Sequence, residues 1–150
     1  MPGIVVGIDG SANARYALEW AVGEAAIKHQ PLTVLTVNEV AASFWSHHPV
    51  PVPADQVLLE TARKEATELT DEAVAQLGES RPASVTVKAV NGFATDELIS
   101  ASRVADLLVV GARGGAHARE GLGHHAPLGS ISSKVLHRAE CPVVVVPARK

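Results

Sequence analysis

Short runs of apolar residues recur along the chain at Ile4 to Ile8, Leu32 to Val37, Leu107 to Val110 and Val143 to Val146. Runs this short, rich in Val, Ile and Leu, fit strands buried on both faces of a sheet. A fifth run, Val85 to Val90, alternates apolar with polar residues and fits a strand nearer an edge. Helical spacing fills the intervals. Ala14, Ala17, Leu18, Ala21, Val22 and Ala25 recur at three- and four-residue steps, and so do Leu58, Ala62, Ala66, Leu69, Ala73 and Leu77. Each set lays an apolar stripe along one helix face. Gly78 follows where a C-cap is expected. Shorter helices are predicted over Thr95 to Ser102 and Ser130 to His137.

The resulting order is β-α-β-α-β-α-β-α-β. Such alternation predicts an α/β fold, a five-stranded parallel sheet with helices on both faces. Right-handed crossovers leave few topologies, of which strand order 3-2-1-4-5 reverses between strands 1 and 4. Ligands bind such sheets at the reversal, beyond the carboxyl ends of the strands. The residues after Ile8 and after Val110 are therefore the first to read for chemistry.

The length of 150 residues suits one domain over 1–150. Apolar residues make up 47% but aromatics only 3%, so the core is expected to be aliphatic, with close helix–sheet contacts. Net charge is −3 and no dense basic cluster occurs, which argues against nucleic acid as a partner. The start, MPGIVVGIDG, lacks the features of a secretory signal. No run of about 18 apolar residues exists to span a membrane. The single Cys141 fits a reducing compartment. A cytoplasmic location with no membrane partner is the expectation.

Two loops interrupt the pattern. Glu39 to Ala54 carries Pro49, Pro51 and Pro53 and reads as an irregular excursion. Gly111 to Gly129 is rich in glycine and histidine. His47, His48, His117, His124 and His125 fall in these loops, but no Cys or acidic residue sits beside them at ligand spacing, so no metal site is expected.

Strand 1 runs into Asp9, Gly10 and Ser11. The Asp9 carboxylate at the reversal point could accept from an adenine amino group or a ribose hydroxyl, or help to hold Mg²⁺. It could equally form the turn into a helix capped by Ser11. Strand 4 runs into Gly111-Ala112-Arg113-Gly114, and Gly129-Ser130 opens the last helix. Glycines let backbone N–H groups approach a phosphate, and a helix N-terminus adds unpaired donors. The other reading is a flexible surface loop. No Walker-type GxxxxGK[ST] occurs, and Gly121 to Ala126 matches GxGxxG/A only in mid-loop, not after a strand. A phosphoacceptor domain would want an acidic pair where only Asp9 stands. No nucleophile–base pair is legible, and Cys141, before Pro142, reads as structural.

Five segments together carry a resemblance. Val6 to Ser11 match V-G-[IV]-D-G-S, and Ala17, Leu18, Trp20 and Ala21 match A-L-x-W-A. Asp106 to Gly111 match D-L-[LIV]-V-[VM]-G. Gly129 to Ser132 match G-S-[IV]-[ST], and Cys141 to Pro147 match C-P-V-x-V-V-P. In these the chain resembles the universal stress protein family. The resemblance implies an adenine nucleotide alpha hydrolase-like fold and a regulatory module of the stress response that binds ATP with or without Mg²⁺; a slow ATPase, with Asp9 as the only candidate general base, is the most activity expected. It also implies a homodimer through the last strand, Val143–Val146. ATP-binding members resemble G-x2-G-x9-G-[ST]. Here Gly111 and Gly114 fit the first part and Gly129 and Ser130 the last, but fourteen residues separate Gly114 from Gly129, five more than the pattern. By resemblance Val37 lines an adenine pocket through its backbone, flanked by Val110 and Ile131. The candidate nucleotide site is thus Ile8, Asp9, Val37, Val110, Gly111, Arg113, Gly114, Gly129, Ser130 and Ile131. The alternative is a nucleotide-free interaction protein of the same fold, acting through its dimer surface.

Overall fold

The computed structural model describes residues 3–9, 11–39, 53–112 and 128–148. Nine elements alternate: β1 (Ile4–Ile8), α1 (Ala12–Lys28), β2 (Pro31–Glu39), α2 (Pro53–Ala75), β3 (Ser84–Gly92), α3 (Ala94–Ser102), β4 (Leu107–Gly111), α4 (Ser130–Arg138) and β5 (Val143–Val146). The five strands form one sheet in the order β3-β2-β1-β4-β5, and every neighbouring pair is parallel. The predicted order is the observed one, and the alternating strand β3 is at an edge.

Strand alternation divides the core into two layers. Ile4, Val6 and Ile8 of β1 join Leu32 and Val34 of β2 in a cluster under α1 and α2. On the other face, Leu35, Leu108 and Val110 pack with Leu98 of α3 and Val135 of α4. Alanine makes the first layer thin: Ala14, Ala17, Ala21 and Ala25 of α1 are all buried, letting the helix backbone approach the sheet. Gly7 does the same opposite, since a Cβ there would lie 2.6 Å from Leu98 Cδ2. Among the described residues no helix is long and apolar enough to cross a membrane.

Three local readings are corrected. α2 begins at Pro53, inside the span read as irregular. A proline is tolerated in a first helical turn, where its missing N–H has no intrahelical acceptor. α2 ends at Ala75, so Gly78 is not its C-cap. Its last carbonyls are instead met by turn bonds from Gln76 and Leu77 and by Arg81 Nη1, which donates to Val74 O at 2.7 Å. β2 runs on past Val37 to Glu39 because Asn38 and Glu39 stay in register with Asn91 and Gly92 of β3.

Candidate functional site

The sheet parts where the strand order reverses. β1 and β4 are aligned from Ile4↔Leu107 to Val6↔Val109 and no further. Beyond that point each strand stays with its outer neighbour: β1 pairs β2 to Ile8↔Thr36, and β4 pairs β5 to Gly111↔Val146. The two strands therefore part between Ile8 and Gly111, at the carboxyl edge where such folds bind ligands in a crevice.

Three helices with described caps start at this edge, and their N-termini are finished differently. At α1, Asp9 Oδ1 accepts from Ser11 N at 2.9 Å, and Ser11 Oγ accepts from Ala14 N at 3.2 Å. Asp9 thus forms the turn and Ser11 is the cap. Asp9 is also exposed, so both sequence readings of it are compatible with its position. At α3, the cap position is Phe93, which has no capping side chain. Glu39 Oε1 at the end of β2 accepts from Ala94 N at 3.2 Å instead, and Asp96 and Glu97 lie in the first turn. The α3 dipole end is therefore met by carboxylates.

At α4 there is neither. Gly129 caps without a side chain, and the first turn holds no acid. Ser133 N donates to Gly129 O at 2.9 Å as the first intrahelical bond, so the amides of Ser130, Ile131 and Ser132 precede the helical ladder. Two contacts fix this end on the sheet. Gly129 N donates to Ala112 O at 2.8 Å, and Ser132 Oγ donates to Gly111 O. Ala112 N in turn donates to Val146 O at 2.9 Å. An anion placed against α4 would meet amides that have no partner among the described residues and the positive dipole end, with the exposed Ser130 hydroxyl beside them.

Of the candidate residues, Val110 is buried in the α3/α4 layer, and Val37 and Ile131 pack against that same cluster. Ile8 lies in the opposite layer, under α1. Gly111 accepts from Ser132 Oγ and Gly129 donates to Ala112 O, which sets the start of α4 against the end of β4, and Ser130 follows Gly129 at that exposed helix start. Arg113 and Gly114 lie outside the described residues, as do His47, His48, His117, His124 and His125. Sequence reading missed Glu39, which caps a helix 55 residues away, and Ser132, whose hydroxyl serves the sheet. Neither has a local signal, since both partners are brought together only by the fold. Among the described residues no three His, Cys, Asp or Glu side chains converge as a metal site. Burial pushes the Cys141 thiol above its ordinary pKa, against the opposing hydrogen bond with the Leu108 backbone, and Asp106 adds to the rise. Its thiol is a poor nucleophile at neutral pH.

The family model described as the universal stress protein family matches residues 2–147. A universal stress protein of Mycolicibacterium smegmatis is 36% identical over 146 residues, 96% of this chain and 47% of that protein. The chain spans about half the length of the curated relatives it matches. The universal stress protein UspA from Lactobacillus plantarum superposes with a TM-score of 0.74 at 24% identity, covering 97% of both chains. A universal stress protein crystallised in complex with cAMP superposes with a TM-score of 0.65 at 25% identity, covering 97% of this chain and 96% of that one. With the motifs, the sheet order and the family match in agreement over nearly its whole length, the chain belongs to the universal stress protein family.

Proposed function

We propose that this chain is a regulatory module that binds an adenine nucleotide, ATP with or without Mg²⁺, in the crevice between β1 and β4. One observation carries the reading: of the three helices with described caps at this edge, α4 is the one whose N-terminus meets no carboxylate and no capping side chain among the described residues. Phosphates would lie against the amides of Ser130 and Ile131 and the backbone of Gly111 and Gly129, with Arg113 and Gly114 completing the cradle. Asp9 would accept from the ribose or help to hold Mg²⁺. The base would rest on Val37, Val110 and Ile131, with Ile8 beneath the crevice. The cAMP complex of the structural relative supports adenine as the base. The module turns over ATP slowly at most, with Asp9, the candidate general base, already engaged by Ser11 N.

A second reading follows from the fourteen residues between Gly114 and Gly129. The longer connection favours a nucleotide-free protein that acts through its dimer surface. In either reading the copies pair through the edge strand β5, Val143–Val146, antiparallel about a two-fold axis.

Titration calorimetry with ATP and Mg²⁺ separates the two. Nucleotide binding in the micromolar range, on the order of −8 kcal/mol, is the expected result. Gly114→Asp should weaken it by setting an anion against the phosphates. Absence of heat together with absence of a thermal shift at millimolar ATP would establish the nucleotide-free reading.

A further inference from the structure

We infer that Trp20, on the flank of α1 nearest β5, is an anchor of the interface between two copies of this chain. The inference rests on the β5 pairing proposed above and adds a side chain that the strand itself does not contain. A strand of four residues is only about 13 Å long. A stable interface buries roughly 800 Å² on each partner, which so short an edge does not supply. Pro142 and Pro147 bracket the run and stop the ladder from lengthening. The missing area has to come from whatever lies over β5.

On one face of the sheet that element is α1. It lies across β1 and β4 and reaches β5, whereas α2 covers β2 and β3. Arg15 Nη2 meets Glu72 of α2 at 3.2 Å, which turns one flank of α1 toward α2. Trp20 follows five residues later, about 140° further round the helix, and so falls on the opposite shoulder, toward β5. It also lies about 12 Å along the axis from Ala12, near the middle of α1. The indole is 38% exposed. Val144 and Val146 of β5, on the same face, are only half-buried. The charges on this flank, Glu24 and Lys28, pair with each other at 2.9 Å and leave no net charge to oppose a neighbour. Antiparallel pairing about a two-fold axis normal to the sheet keeps both copies of α1 on one face. Each Trp20 would then lie on the outer flank of α1 that the two copies turn toward each other, over the paired valines. Large aromatic side chains at the centre of an interface carry a disproportionate share of its energy.

The chain has two tryptophans, so Trp45→Phe leaves Trp20 as the sole reporter. In that background, dilution from about 100 μM to about 100 nM should shift Trp20 emission to the red, with the midpoint at the dimer dissociation constant found by sedimentation. Trp20→Ala should weaken the dimer at least tenfold, with circular dichroism and the heat of ATP binding unchanged. A dimer that Val144→Lys dissociates, but whose Trp20 emission is flat on dilution, overturns the role of Trp20 and leaves the β5 pairing standing. A wild-type chain that is monomeric at every concentration overturns the pairing and this inference together. If Trp20→Ala misfolds, the emission series alone decides.

Discussion

The backbone N–H of Gly129 donates to the carbonyl of Ala112 at 2.8 Å, so the chain that leaves β4 re-enters at α4 within one hydrogen bond of where it left. The number of residues between the two ends does not alter that bond. Loop closure costs only about 0.6 kcal/mol for each doubling of length. Removing five residues, Ala116 to Glu120, should therefore change stability by less than about 0.5 kcal/mol in denaturant titration. A loss of several kcal/mol would mean that those residues hold the structure together.

Asp9 has two tasks that substitution can separate. Asp9→Asn keeps an oxygen for Ser11 N, while Asp9→Ala removes it. Asp9→Ala should cost about 0.5–1 kcal/mol of stability as well as weakening ATP, whereas Asp9→Asn should leave stability nearly unchanged. Paired chemical denaturation and calorimetry report both quantities. Equal ATP affinity in all three proteins would remove Asp9 from the nucleotide site.

α1 offers opposite changes on one helix. Ser11→Ala deletes the cap to Ala14 N and should destabilise by about 1 kcal/mol. Gly23→Ala should stabilise by about 0.5–1 kcal/mol, because an added Cβ meets nothing within 4 Å and alanine is the better helix former. Thermal melts of the two variants should move in opposite directions.

The raised pKa of Cys141 sets the sign of an alkaline effect. The folded thiol keeps its proton at a pH where the unfolded thiol has lost it. Stability is therefore unaffected at neutral pH and falls as pH rises through the ordinary thiol range, about 8 to 10. Cys141→Ser should show a flatter stability profile there than the unmutated chain. Labelling by a thiol reagent at pH 8 should also be slower in the folded protein than in denaturant.

The edge valines give the assembly its simplest test. Val144→Lys puts a charge into the edge strand β5 and should convert a dimer at tens of micromolar into a monomer by light scattering. The same mass for both proteins would place any interface elsewhere.

The central strands β1, β2 and β4 were legible because they are largely buried and so are written in Val, Ile and Leu, and the edge strands because β3 alternates and β5 is an unbroken valine run. β5 is found at the very residues of its valine run. Less was legible where polar groups hold the backbone. β2 extends through Asn38 because its Nδ2 donates to Asn91 Oδ1, a partner 53 residues away. α1 ends on His29 in the left-handed region, at φ 51°, a conformation usually left to glycine. Its ring is tied there, with Nδ1 2.9 Å from Arg81 O. At the site, Asp9, Ser11, Gly129 and Ser130 could be read from their place after strands and before helices. The contrast between α3 and α4 could not, because it depends on Glu39 crossing to a helix that sequence alone does not bring near it.

The early end of the β1–β4 ladder has a mechanical consequence. Three aligned positions join these strands, against nine between β2 and β3. The sheet is thus two plates meeting at a short seam, with α1 laid across it as the main brace. Any molecule seated at the open end touches both plates at once. A molecule there would brace the two plates beyond Val6↔Val109, where their own ladder has already ended.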